Sequence, residues 1–155
     1  MKKILTAIVI YLKGNRMEFF VKCNPPKTTM QSATRIFKTK EGRMFIGKTD
    51  RAKSVKQELM ALLMPYVPEK PFEKPLKVTV EWGYPYLKTV RKRDIGKIIH
   101  CATRTDCDNL AKGWCDIMTR LGFWKDDALI WDLRFRKFYT DQPGIGIKIE
   151  EFTEN

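Results

Sequence analysis

An amphipathic helix followed directly by a long alternating strand is the pattern that most narrows the folds open to this sequence. The apolar positions of the helix form one stripe at helical spacing: Leu110, Trp114, Ile117 and Leu121. Gly122 stands where a left-handed C-terminal cap is expected, so the helix should end there. Alternation over 129–139 then predicts a strand. A helix with one apolar stripe beside such a strand favours helices packed on a sheet.

The rest of the chain adds a second helix and several strands. Apolar positions recur at helical spacing over 50–64, and Pro65 should end that helix. The strand-like segments are 17–23, 76–85 and 144–152, with a hairpin over 34–47 that turns at Glu41-Gly42. The prediction is an α+β fold: a single domain with a mixed or antiparallel sheet and two principal helices.

The first sixteen residues, MKKILTAIVIYLKGNR, imitate a signal peptide. No small-x-small cleavage site follows, and the apolar run is too short to span a bilayer. Two interpretations remain: an extra strand, or an upstream in-frame start. We favour the second, which divides the chain into an N-terminal extension (1–16) and the domain proper (17–155).

The net charge of +12 is unevenly distributed along the chain. Residues 1–105 contain 23 Lys or Arg and 8 Asp or Glu, a balance of +15, whereas 106–155 contain 7 and 10, a balance of −3. A strongly basic surface attracts polyanions, nucleic acid above all. The tip of the predicted hairpin (Lys38, Lys40) and the basic run at 91–93 are the first candidates for contact. No polybasic amphipathic helix is visible, so a membrane is not the expected partner.

The four cysteines offer a metal alternative that the spacing does not favour. Zinc ligands usually come in close pairs, and no CxxC pair occurs here. A zinc site would have to combine the only histidine with three cysteines: His100, Cys101, Cys107 and Cys115. We interpret the cysteines as reduced, mostly buried side chains of a cytoplasmic protein.

The acidic residues concentrate around the start of the second helix. If 105–108 is extended, Asp106 and Asp108 point to the same side, where two like charges repel unless a cation lies between them. Carboxylates suit Mg²⁺ or Mn²⁺. Lys112 follows Asp108 by one helical turn, and one acid of the Asp126/Asp127 pair should face the same side. Three carboxylates and a lysine fit metal-assisted phosphodiester hydrolysis.

A purely structural role for these acids is the alternative. Asp108 can serve as an N-cap, and Asp126 and Asp127 are common turn residues. Capping accounts for one acid but not for its neighbour Asp106, and Ala111 stands where a capping box would have Glu or Gln. The residues alone therefore favour the metal site.

The pattern D-x-D-N-L-x-K, a helix, then G-F-W-x-D-D resembles the RusA family of Holliday junction resolvases. It is carried by Asp106, Asp108, Asn109, Leu110, Lys112, Gly122, Phe123, Trp124, Asp126 and Asp127. The resemblance implies a homodimeric, Mg²⁺-dependent endonuclease, with Mn²⁺ as a possible substitute, that cuts four-way DNA junctions by paired nicks and is often encoded in bacterial prophages. It assigns catalysis to Asp106, Asp108, Lys112 and Asp127, and metal binding to Asp106, Asp108 and Asp127 with Asp126 secondary.

The resemblance also implies how DNA is held and where this chain departs from the family. Phosphates would be bound by Lys27, Lys38, Lys40, Arg91, Lys92 and Arg93. Arg104-Thr105 replaces the Lys-Pro that commonly precedes the first aspartate, a change that removes no reacting group. The three tryptophans at 114, 124 and 131 are expected in the core rather than at a junction. Three other functions stay open: a nuclease for other branched DNA, a non-catalytic DNA-binding protein and a zinc-binding module.

Overall fold

The computed structural model describes residues 9–28, 34–103 and 105–152. The strands are β1 (Val9–Lys13), β2 (Arg16–Lys22), β3 (Thr34–Lys38), β4 (Met44–Lys48), β5 (Leu76–Pro85), β6 (Ile99–His100), β7 (Ile130–Thr140) and β8 (Gly144–Glu151). The helices are α1 (Asp50–Leu63) and α2 (Cys107–Leu121), with short 3-10 turns at Met64–Tyr66, Lys92–Asp94 and Asp127–Leu129. The predicted α+β class is confirmed.

Six strands form one mixed sheet in the order β1-β2-β8-β5-β7-β6. Strands β5 and β7 are parallel, and every other neighbouring pair is antiparallel. The chain's last strand, β8, therefore lies inside the sheet, between β2 and β5. Among the described strands, β3 and β4 pair only with each other, in a separate two-stranded sheet.

One face of the large sheet carries the core. Alternate residues of β5 are buried, among them Val78, Val80 and Trp82. They pack beneath the buried stripe of α2, where the ring of Trp114 meets Trp82 edge-on at a centroid distance of 5.5 Å. A large aromatic pair in this geometry adds to the burial of apolar surface that holds helix and sheet together. The core thus fixes α2 against the sheet.

The opposite face of the sheet is polar. Its charged side chains pair across and along the strands: Lys77 with Asp132, Arg136 with Glu81, and Lys148 with Glu150. An antiparallel or mixed sheet with one solvated face has this alternation of apolar and polar sides. Because Lys77, Arg136 and Lys148 have acidic partners, much of the positive charge on this face is offset.

Most predicted elements are present, with corrections at particular residues. Residues 9–13 form β1, so the end of the predicted extension 1–16 is a strand paired with β2, while 1–8 lie outside the described residues. Trp114 and Trp124 are in the core, as predicted, but Trp131 is 62% exposed and its core assignment is wrong. No helix in the described ranges is long and apolar enough to cross a membrane.

Candidate active site

Asp106 and Asp108 stand at the N-terminus of α2. The helix begins at Cys107, so the expectation of an extended 105–108 segment is wrong: Asp106 is the N-cap residue, and Asp108 lies in the first turn. Both side chains are exposed. Acidic side chains are favoured in this position because the helix dipole presents partial positive charge at its N-terminus. Both acids therefore lie at the positive end of the α2 dipole, one at the cap position and one in the first turn.

Neither carboxylate is used to cap the helix. The side chain of Asp106 makes no cap hydrogen bond although Asp106 occupies the N-cap position. Within the described residues, no hydrogen bond or ion pair involves the carboxylate of Asp106 or Asp108. The structural alternative thus does not account for this pair. Both carboxylates face solvent and are available to a ligand.

Lys112 lies on the same side of α2 as Asp108. Residues four and seven positions apart share one face of a helix, which aligns Asp108, Lys112 and Cys115. Cys115 is buried and marks the edge where this face turns toward the sheet, whereas Lys112 is exposed. The ammonium group is therefore presented to solvent on the helix face that carries Asp108.

The neighbouring residues Asp126 and Asp127 differ in role: the carboxylate of Asp126 stabilises a turn, and that of Asp127 is available to bind a ligand. Asp126 caps the 3-10 turn before β7, because its carboxylate accepts a hydrogen bond of 2.8 Å from the backbone N–H of Ala128. Asp127 is exposed, and no comparable bond to it is found in the described part of the chain. Of the two acids, Asp127 is free to act.

The 3-10 turn that begins at Asp127 lies against α2. The pKa of Cys115 is raised from 9.0 to about 11, first by burial and then by the negative charges of Asp127 and Asp116. An acid affects a thiol in this way only from nearby. Cys115 shares its helix face with Asp108 and Lys112, so Asp127 lies near the side of α2 that carries these residues.

These side chains do not form a closed metal cage. In residues 9–28, 34–103 and 105–152, no group of three or more His, Cys, Asp or Glu side chains is close enough to hold an ion. This applies to the three carboxylates and to the cysteine-histidine set alike. The donor chemistry nevertheless fits Mg²⁺, which is usually bound by one or two carboxylates and completes its shell with water and substrate phosphate. Asp106 and Asp108 supply such a pair.

The loop that precedes α2 is held by contacts from other elements. The Lys137 ammonium, on β7, donates to the carbonyl oxygen of Thr105 at 2.7 Å and to that of Thr103 at 3.4 Å. The hydroxyl groups of Thr103 and Tyr139 are 3.0 Å apart. On the other side, the Thr105 hydroxyl donates to the carbonyl oxygen of Lys27 at 3.3 Å. The backbone leading into Asp106 is thus tied to the sheet and to the 25–28 segment.

Sequence reasoning missed Lys137. A signal for it was present, because the alternation of β7 puts residue 137 on the same face as Phe135 and Tyr139. A lysine on the otherwise apolar face of a strand needs polar partners for its ammonium group. The loop carbonyls are those partners.

The predicted phosphate-binding residues are all exposed and lie at several places around the site. Lys27 adjoins the loop before α2 through its own carbonyl. Arg91 and Thr103 line one open cavity of about 440 Å³ between the 86–95 loop and β6, which brings the basic run 91–93 alongside the same loop. Lys38 and Lys40 are on the separate hairpin. Their contact with DNA stays a prediction.

Comparison with known proteins identifies the family of this chain. The family model described as Endodeoxyribonuclease RusA matches residues 25–150, which contain every candidate catalytic side chain. The chain belongs to the RusA endodeoxyribonuclease family. The resemblance predicted from D-x-D-N-L-x-K and W-x-D-D is confirmed, and the RusA match extends well upstream of those motifs, to the segment that contacts the loop before α2.

A curated relative of this RusA family member has no assigned function of its own. The chain is 26% identical over 118 residues to a protein of Bacillus subtilis (strain 168) described as Uncharacterized protein YqaN, which covers 72% of this chain and 82% of that protein. That likeness supports a shared domain and adds no activity. Membership of the RusA family makes the chain a nuclease.

Proposed function

We propose that this protein is a structure-selective endodeoxyribonuclease that resolves four-way (Holliday) junctions by paired nicks, with Mg²⁺ as its metal and Mn²⁺ as a substitute. The observation that carries the proposal is the pair of uncapped, exposed carboxylates at the start of α2 with Lys112 one turn further along. Membership of an endodeoxyribonuclease family supports a catalytic role for these side chains. Symmetric junction cleavage, metal dependence and dimerisation are the added claims.

Each side chain has a role that follows from its position. Asp106 and Asp108 would hold the metal together with Asp127. A bound divalent ion would supply electrophilic stabilisation of the phosphate and an activated water. The Lys112 ammonium is placed to neutralise charge that develops on a phosphate or leaving oxygen. Lys137 orders the backbone that carries Asp106, so the carboxylate geometry does not depend on an unsupported loop.

Dimerisation gives the proposed activity its symmetry. A four-way junction presents two equivalent strands, and two identical sites related by a two-fold axis can cut both in the same register. The basic groups around each site (Lys27, Lys38, Lys40 and 91–93) would bind phosphates without reading sequence. We therefore expect selectivity for branched structure, with little selection by base sequence in binding.

The test uses an immobile four-way junction, a three-way fork and a linear duplex of the same sequence, each incubated with Mg²⁺, Mn²⁺ or EDTA. Wild type should nick the junction symmetrically with either metal and leave the duplex intact. Asp108→Asn should slow cleavage by a hundredfold or more, on the order of the loss caused by removing one key electrostatic group. Junction affinity should persist or increase, because one negative charge near phosphate is gone.

Asp116→Asn provides the matched control. Asp116 is an exposed acid of the same helix, eight residues beyond Asp108, and the substitution is the same. It should leave cleavage unchanged. Cleavage of the fork in preference to the four-way junction would replace the resolvase with a nuclease for other branched DNA. Tight junction binding without cleavage in either metal would make the protein a binding module.

A further inference from the structure

The β3–β4 hairpin stands apart from the rest of the fold. Its turn is closed by the Thr39 N–H, which donates to the Arg43 carbonyl oxygen at 2.8 Å, and Gly42 takes a positive φ of 87° that suits glycine. Within the part of the chain that the structure describes, its strands pair only with one another. A two-stranded hairpin with no further sheet is at best marginally stable in water. This hairpin therefore needs a surface to pack against.

Both faces of the hairpin expose apolar side chains. The register puts Ile36 opposite Ile46 and Met44 next to them, on one face, with exposures of 69%, 77% and 73%. On the other face Phe37 and Phe45 stack at a centroid distance of 5.5 Å and are themselves part-exposed. Several large apolar side chains exposed together mark an interaction site.

The charge of the hairpin indicates what covers it. Residues 34–48 contain five Lys or Arg and one Glu, a net charge of +4. Lys38 extends from the same face as Met44, and Lys40 and Arg43 are exposed at the tip. A second copy of this chain docked on that face would bring these cations together with a single carboxylate to offset them. The hairpin combines positive charge with exposed apolar side chains, so its partner should be negatively charged and should also offer apolar surfaces. DNA meets both requirements, because its phosphates carry the charge and its bases provide the apolar surfaces.

The hairpin arises beside the candidate active site. Thr28, the last described residue before it, lines one small cavity together with Asn109 of α2. After Lys48 the chain enters α1 directly, and Val55 of α1 lines the same cavity. Strands of five residues reach about 17 Å. The hairpin thus extends from the side of the molecule where the carboxylates lie.

We infer that the 34–48 hairpin is a DNA-contacting arm whose Ile36, Met44 and Ile46 side chains pack against unstacked bases at the branch point, while Lys38, Lys40 and Arg43 bind the flanking phosphates. Two-stranded ribbons fit DNA grooves, and Ile, Met and Phe are side chains that proteins insert between base steps. The inference rests on the proposed function for the kind of DNA involved. It gives the protein a physical means of preferring branched DNA to duplex.

The experiment measures base unstacking without cleavage. A four-way junction with 2-aminopurine at the branch point and a duplex with the same label are titrated with protein in EDTA, and fluorescence and affinity are recorded together. Wild type should increase the junction signal several-fold more than the duplex signal. Met44→Thr/Ile46→Thr, which keeps strand-compatible residues, should lose most of that increase. Lys40→Gln/Arg43→Gln should lower affinity and its salt dependence without removing the increase.

Met64→Thr is the matched control, since Met64 is an apolar side chain of similar exposure (58%) at the far end of α1. It should behave as wild type. An unchanged signal and affinity in the Met44→Thr/Ile46→Thr protein would overturn the inference. So would conversion of a wild-type dimer to a monomer by that variant in light scattering, because the face would then be covered by a second copy. Cleavage is a separate readout in Mg²⁺: a wild type that unstacks the junction without nicking it contradicts the proposed function alone.

Discussion

Two neighbouring aspartates of this chain differ in what their carboxylates already do. The Asp126 carboxylate accepts a hydrogen bond from the Ala128 N–H, whereas Asp127 is exposed in a turn that lies against α2. A carboxylate that caps a turn stabilises the fold, and one without such a bond is available for chemistry. The same distinction separates Asp106 from an ordinary N-cap residue.

Substituting the two acids by alanine should separate stability from activity. Asp126→Ala removes a turn cap and should lower the free energy of unfolding by about 1 kcal/mol, with cleavage retained. Asp127→Ala should leave the melting temperature within experimental error and reduce junction cleavage by a hundredfold or more. Thermal unfolding and gel-based cleavage on the same preparations measure both. The reverse pattern would make Asp126 the active acid.

Lys137 provides a second residue-level prediction, as a positioning residue. Lys137→Met removes the donor that holds the carbonyl oxygens of Thr105 and Thr103. Small misplacements of reacting groups cost up to about a hundredfold in rate, so cleavage should fall by roughly tenfold to a hundredfold while junction affinity changes little. Lys137→Arg should restore part of the rate.

Lys148→Met, on the polar face of the sheet, is the control for Lys137. It should leave the cleavage rate unchanged. A parallel loss of affinity and rate in Lys137→Met would show that this lysine binds DNA directly instead of ordering the loop.

At the scale of residues, chemistry is easier to predict from sequence than geometry. The side chains at 106, 108, 112 and 127 can be identified from residue type and spacing. The predicted relative position of Asp106 and Asp108 is wrong. The prediction assumed an extended segment, whereas α2 begins at Cys107, between the two residues. Helix starts without a side-chain cap leave no local signal of where the first turn begins.

The secondary-structure elements follow closely from local periodicity. Strand β5 has the predicted bounds, 76–85, and α2 ends before Gly122, whose φ of 86° is the predicted left-handed cap. What periodicity does not specify is which strands pair. No local pattern indicates that β8 lies between β2 and β5, because alternation describes the faces of a strand and not its neighbours.

Glycines in β8 provide a test of that pairing. A Cβ added to Gly144 would lie 2.3 Å from the Phe20 ring and 2.6 Å from the backbone carbonyl oxygen of Val21, so Gly144→Ala forces β2 and β8 apart. It should lower the free energy of unfolding by about 1–3 kcal/mol, the usual cost of overpacking. At Gly146 the nearest atom, Glu81 Cβ, is 3.5 Å away.

Gly146→Ala is therefore the matched control in the same strand and should be close to neutral. Urea unfolding of both variants measures the difference. Equal stabilities would mean that β2 does not approach β8 at Gly144 as closely as this register requires.

The whole molecule has a polar sheet face on which charges largely offset each other, and a basic edge. Lys77, Arg136 and Lys148 on the polar face are paired with acids, while the 91–93 run and Lys27 are in exposed segments near the loop before α2. Long-range attraction for DNA therefore comes from the side that carries the candidate active site. The total charge is evident from the sequence, but this separation depends on the ion pairs across strands.

Salt dependence tests this distribution of charge. Arg91→Gln/Lys92→Gln should weaken junction and duplex binding alike and reduce the slope of log affinity against log salt by up to about 0.9 for each phosphate that is no longer neutralised. Lys77→Gln/Lys148→Gln, which changes the same number of charges on the polar face, should leave the slope unchanged. Equal slopes for both variants would argue against a basic edge.

The position of β8 also bears on how the protein is made. Strands β1 and β2 can form a hairpin as soon as they are synthesised, but they reach the rest of the sheet only through β8, which is translated last of all the strands described. Until then β2 and β5 each present an unpaired edge, a template for association with other chains. Slow passage of the ribosome through 144–151 should therefore favour aggregation of the nascent protein, and a chaperone that shields strand edges should increase its yield.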